Sequence, residues 1–182
     1  MNAMTKVSPA PLAAIFLTDE AATEQLVDIA IAMLKQQGVR VAGFVQRTYP
    51  APVGTDAEVV VEDIETGRIF PIMQPIGAVG GGCRLDTAAL ADVAGQALAR
   101  LEHEADFIVL NRFGRSEMEG NGLRAVLEKA IGLDLPVLTS VKAEHVEAWK
   151  AYTDGMSVLL PAEAEAICEW CRSVMPAARQ SA

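Results

Sequence analysis

The chain has 182 residues, 51% of them hydrophobic, and its 15 Lys+Arg against 24 Asp+Glu give a formal net charge of −9. That length and apolar share exclude a disordered chain and fit one self-sufficient domain, taken as 1–182. A field of this sign repels phosphate backbones and anionic lipid headgroups, no basic run offsets it, and no apolar stretch of about 18 residues suits a membrane helix, so neither nucleic acid nor a membrane is expected as a partner.

Leu12 to Leu17 (LAAIFL) is a continuous apolar run of the kind covered on both faces of a parallel sheet. The run from Pro11 meets Thr18-Asp19-Glu20 directly and lacks a small-residue cleavage site, so it reads as a strand rather than a secretory signal. A helix follows with Leu26, Ile29, Ala30 and Met33 on one face and Gly38 at its end, then a strand over Val39 to Gln46. This is a β-α-β unit, for which parallel strands and a right-handed crossover are expected.

The rhythm then changes. Ala57 to Asp63 and Arg68 to Met73 are β-rich runs around Ile64-Glu65-Thr66-Gly67, which predicts an antiparallel hairpin inserted at about 53–76. Pro71, Pro75 and Gly80-Gly81-Gly82 exclude a helix and predict a flexible segment up to Cys83-Arg84-Leu85-Asp86.

Asp86 or Thr87 can cap a helix whose stripe is Leu90, Val93, Ala94, Ala97, Leu98 and Leu101. Asp106 to Asn111 reads as a buried strand, Leu123 to Ile131 as a helix, and Pro136 to Val141 as a strand. A short strand over Ser157 to Leu160, a helix over about 162–174 and a frayed tail over about 176–182 complete the chain. The fold class is therefore α/β: a mainly parallel sheet with flanking helices and the hairpin as an insertion.

Ligands of open parallel sheets bind at the carboxyl ends of the strands, which singles out three loops. Thr18 to Thr23 stands where a nucleotide-binding unit would carry a glycine-rich phosphate loop ending in Lys and Ser/Thr, but it has no Gly or Lys and presents two carboxylates, so Thr18 or Asp19 reads as a helix cap. Gly80 to Asp86 offers Arg84, the Cys83 thiol and Asp86 beside a helix start; Asp86 as a cap and Cys83 as a buried hydrophobe are the alternative. Asn111 to Arg124 is the richest loop, with three arginines, two glutamates and three glycines. Arginine forks suit oxyanions, and glycines let backbone approach a ligand; equally, Arg112, Arg115 and Arg124 pair with acids that hold the loop in shape.

Cys168-Glu169-Trp170-Cys171 lies inside a predicted helix, where it completes neither a thioredoxin-like site nor a four-ligand zinc site on its own. With Cys83 it makes an odd cysteine count in a chain too large to need disulfides, which points to a reducing, cytoplasmic setting. His103 and His145 have no catalytic company, and no catalytic or metal-ligating set is assigned.

The succession LAAIFL, helix, GVRVAGFVQ, hairpin, GCRLD, helix, DFIVLNRFGRSE, GNGLR and LPVLTSV resembles the bacterial family known as domain of unknown function 2478 over nearly the whole chain, most specifically in Asn111-Arg112-Phe113-Gly114-Arg115-x-Glu117 and Gly120-x-Gly122-x-Arg124. That family is more distantly similar to P-loop nucleoside-triphosphatases, including a nucleotide-binding protein of molybdopterin guanine dinucleotide synthesis. The resemblance implies a P-loop-like three-layer sandwich and an association with molybdenum metabolism. It also marks two departures: Thr18 to Thr23 replaces the phosphate loop, and Asn111-Arg112 replaces the acids that would hold magnesium.

The expectation is a catalytically degenerate P-loop-like domain that binds a small anion, nucleotide or oxyanion, or a protein partner, with no cofactor assigned. The candidate ligand-binding residues are Arg84, Asp86, Asn111, Arg112, Gly114, Arg115, Glu117, Gly120, Gly122 and Arg124. One alternative is a nucleoside-triphosphate hydrolase or transferase with a relocated phosphate site, its metal on Asp86 or Glu117. The other is an interaction module, a homodimer paired through the hairpin edge.

Overall fold

A computed structural model describes residues 11–50, 52, 57–75, 83–101 and 105–175. Its main sheet has seven strands, in chain order β1 (Leu12–Leu17), β2 (Val41–Tyr49), β3 (Glu58–Asp63), β4 (Ile69–Pro71), β7 (Phe107–Leu110), β8 (Val137–Lys142) and β9 (Ser157–Leu160). Across the sheet they lie in the order β4-β3-β2-β7-β8-β1-β9. β5 (Met73–Pro75) and β6 (Cys83–Leu85) form a separate antiparallel pair. The helices are α1 (Glu20–Gln36), α2 (Thr87–Leu101), the single turn α3 (Arg115–Met118), α4 (Arg124–Gly132), α5 (Val146–Tyr152) and α6 (Ala164–Val174).

Alternation along the strands divides the core in two. Leu12, Ala14, Ile108 and Leu110 point to the face covered by α2, α4 and α5, where Trp149 and Phe113 are fully buried. Ala13, Ile15, Phe107 and Val109 point to the opposite face, under α1 and α6. The three layers follow from strands apolar on both sides, each face needing its own helices.

β1, β2, β7, β8 and β9 all run parallel, as the β-α-β reading predicts, but β7 and β8 lie between β1 and β2. The first crossover therefore spans two strands that the chain supplies later. The hairpin is antiparallel as expected and extends the main sheet directly: β3 pairs with β2 from Phe44↔Asp63 to Tyr49↔Glu58, which carries β2 to Tyr49, beyond the predicted end at Gln46. Gly43 lies where β2 meets both β7 and β3; its φ of +123 and a hypothetical Cβ 1.9 Å from the Val109 carbonyl oxygen admit glycine alone.

Two local readings change. The buried stripe of α1 is Val27, Ala30, Ile31 and Leu34, with Ile29 47% exposed, because the helix begins at Glu20 and meets the sheet about one position away from the predicted phase. The stretch before Asp86 also contributes strand residues, Met73–Pro75 against Cys83–Leu85. The Gly80-Gly81-Gly82 run and the expected frayed tail lie outside the described residues. Among the described residues, no helix is long and apolar enough to cross a membrane.

Candidate functional site

The carboxyl ends of β1, β2, β7 and β8 converge below the N-terminus of α1 on a cleft. Its apolar floor is Leu17, Val27, Val45 and Leu110; its polar rim is Glu20, Glu24, Gln46, Asn111 and Arg112. The cavity volume is about 30 Å³, room for about two waters.

β1 passes into α1 through Thr18 and Asp19 alone. Asp19 is the N-cap, its Oδ1 accepting from the Ala22 N–H at 2.7 Å, while the Thr23 N–H and hydroxyl both donate to the Asp19 carbonyl. The cap is therefore a side chain of this chain, in a connection without the span of a phosphate-cradling loop. The expected capping role of this segment belongs to Asp19.

Above the cleft, the Arg112 guanidinium donates to Glu20 Oε1 at 3.0 Å and to Gln46 Oε1 at 3.0 Å. Gln46, 8% exposed, is held in turn by Asn111: Asn111 Nδ2 donates to Gln46 Oε1, and the Gln46 backbone N–H donates to Asn111 Oδ1, both at 3.2 Å. Lys142, at the end of β8, reaches the same Glu20 Oε1 at 3.1 Å. Burial pushes the Glu20 carboxyl up, but the hydrogen bond from Lys142 and the charge of Arg112 outweigh it and leave the pKa below the ordinary glutamate value. One turn on, burial raises the Glu24 carboxyl, with Thr48 and Arg47 offsetting it in part. Farther along the same groove, Arg47 forks onto Asp28 and also donates to Glu62; these bonds outweigh its burial and keep it charged.

The structure does not gather the candidate residues into one pocket. Asn111 and Arg112 are in the cleft. Arg115, 85% exposed, pairs with Glu119 one turn away. Arg124 pairs with Glu128, donates to the Glu117 carbonyl and lies 4.9 Å over the Tyr152 ring, on the α4 and α5 side of the sheet. Glu117 is a buried strap: Oε2 accepts from the Gly114 N–H and Oε1 from the Leu123 N–H, both at 3.0 Å. Gly122 permits this, since its φ is +63 and a Cβ there would overlap Glu117 Oε1. Gly120 has φ +85 in the same turn. Asp86 caps α2, accepting from the Ala88 and Ala89 N–H groups at 3.0 Å. The backbone of Arg84 pairs with Gln74.

Glu20, Gln46 and Lys142 lie outside the residues that the sequence singles out as ligand-binding. Gln46 carried a signal, an amide closing an apolar strand; Glu20 was visible only as one of two acids in the first loop, and Lys142 had no local mark. The CxxC pair lies in α6, where Cys171 is fully buried and burial pushes its thiol up to about 12, well away from a reactive thiolate. Among the described residues, no cluster of three or more His, Cys, Asp or Glu is arranged to hold a metal.

The profile of the family described as "Protein of unknown function (DUF2478)" matches residues 12–170. The chain belongs to that family. The curated "Molybdenum import ATP-binding protein ModC 2" of Bradyrhizobium diazoefficiens is 34% identical over 167 residues, 92% of this chain and 19% of that protein. The chain thus spans about a fifth of the length of the curated relative it matches. Among solved structures, THEP1 from the hyperthermophile Aquifex aeolicus superposes with a TM-score of 0.54 at 11% identity, covering 85% of this chain and 90% of that one. The chain shares with it the P-loop NTPase-like α/β fold, as the resemblance implied, with the antiparallel strands at one edge.

Proposed function

We propose that this chain is a P-loop-like domain that has given up phosphoryl transfer and binds a small oxyanion, in a setting linked to molybdenum import. One observation carries the reading: the Arg112 guanidinium and the Lys142 ammonium meet on a single carboxylate oxygen at the head of the sheet, as they would meet on an oxyanion oxygen. The capped connection at Thr18 and Asp19 and the Asn111-Arg112 pair leave neither a phosphate cradle nor a magnesium-holding acid at the usual places. Glu117 and Asp86, the acids on which a relocated metal would depend, both bind backbone N–H groups. The relative named for molybdenum import makes molybdate the first anion to test.

Thermal shift with molybdate, tungstate, sulfate, phosphate and Mg-ATP tests this directly. An oxyanion at about 100 times its Kd should stabilise the fold by about 2.7 kcal/mol, and Arg112→Ala should abolish the shift. Mg-ATP turnover above background that Glu117→Gln removes would establish the hydrolase alternative. The absence of any anion shift would leave the interaction module.

A further inference from the structure

We infer that Glu20 is a tethered competitor of the ligand: its carboxylate occupies, between Arg112 and Lys142, the position an oxyanion takes, so the site is self-occupied until Glu20 swings out. This rests on the oxyanion reading of the same cleft and adds to it how the site is controlled.

The two sides of the contact are built differently. Arg112 is anchored without Glu20, because Gln46 Oε1 holds its guanidinium and Asn111 holds Gln46, on the ends of two paired strands. Glu20 is the first residue of α1 and its side chain is 47% exposed. It does not cap its helix; Asp19 does. A rotamer change at Glu20 therefore frees both cations without uncapping α1 or loosening the guanidinium. Lys142 ends β8 in register with Leu17, the last residue of β1, so its backbone is placed by strand pairing. Glu24, the next acid on that helix face, hydrogen-bonds Thr48 at 3.2 Å instead.

The ligand class follows from the charges. Two cations face one carboxylate, so a monovalent anion replaces Glu20 at no gain in charge, whereas a divalent tetrahedral oxyanion satisfies both cations. Glu24, a second acid lining the same cleft, disfavours more highly charged polyphosphates.

An occupied site lowers apparent affinity by the fraction of time it is open; if Glu20 holds the cations for about two-thirds of the time, releasing it tightens binding about threefold. Calorimetric titration of molybdate and sulfate into wild type, Glu20→Gln, Glu20→Asp and Glu20→Gln/Arg112→Ala checks this, with melting curves confirming that each variant folds. Glu20→Asp keeps the charge on the helix but withdraws the carboxylate by one methylene. The expected result is tighter binding by both single variants and none by the double variant. Equal affinity in wild type and both single variants overturns the tether and leaves the oxyanion reading standing. A gain in Glu20→Gln alone reports overall charge and also overturns the tether. No binding by wild type or either single variant overturns the oxyanion reading and the tether together.

Discussion

The cleft at the head of α1 and the turn from Gly114 to Leu123 draw on the same residue types, arginine and glutamate at the ends of regular elements, yet they are put together in opposite ways. In the turn, both oxygens of the buried Glu117 are held by backbone N–H groups, and the arginines at either end reach acids one turn along their own helices. In the cleft, Glu20 has side-chain cations for partners, delivered by two different strands over open space. A carboxylate bound by backbone cannot be exchanged for a ligand without undoing the loop; one bound by side-chain cations can. Density of charge does not mark a site; the partner of each charge does.

The largest test of that contrast is Glu117→Ala. It strands two backbone N–H groups at about 1–3 kcal/mol each, so urea unfolding should show a loss of about 2–6 kcal/mol with oxyanion affinity barely changed. A stability loss below about 0.5 kcal/mol would mean that the turn is not strapped. Gly122→Ala comes next: a left-handed backbone position and overlap with the strap should together cost about 1–3 kcal/mol. Gln46→Leu acts on the other region, and its signature is functional. Loss of the amide frees Arg112 and should weaken molybdate binding about tenfold by calorimetry, with about 1 kcal/mol of stability.

Smaller still is the contribution of Glu20. Its folded pKa lies below its unfolded one, so its stabilisation is present above the ordinary value of 4.5 and is lost as pH falls through the lowered folded value. For so exposed a pair the difference between wild type and Glu20→Gln should be only about 0.5 kcal/mol at neutral pH, vanishing in acid; melting curves across that range would show it. Arg115→Ala should alter neither melting temperature nor anion affinity. A loss of anion binding there would erase the distinction between the two regions.

Much of the framework was readable within short windows. Continuous apolar runs marked β1, β7 and β8 because strands covered on both faces leave no polar alternation. The 3.6-residue stripes of α2 and α4, the caps at Asp19 and Asp86 and the turn at Gly67 are likewise local chemistry. α3 leaves no mark in the sequence because a single turn has no periodicity. The phase of α1 is not legible locally because a helix with apolar residues on several sides offers more than one stripe, and only docking on the sheet chooses among them.

What no window held is the strand order. Placing β7 and β8 between β1 and β2 brings Arg112 to Glu20 across 92 positions and seats Gln46 beneath both. By itself the sequence determined an α/β fold, since propensity, capping and burial period act over a few neighbours. Which of its many charges face one another was decided by the tertiary structure alone, because strand pairing at long separation depends on how whole layers pack.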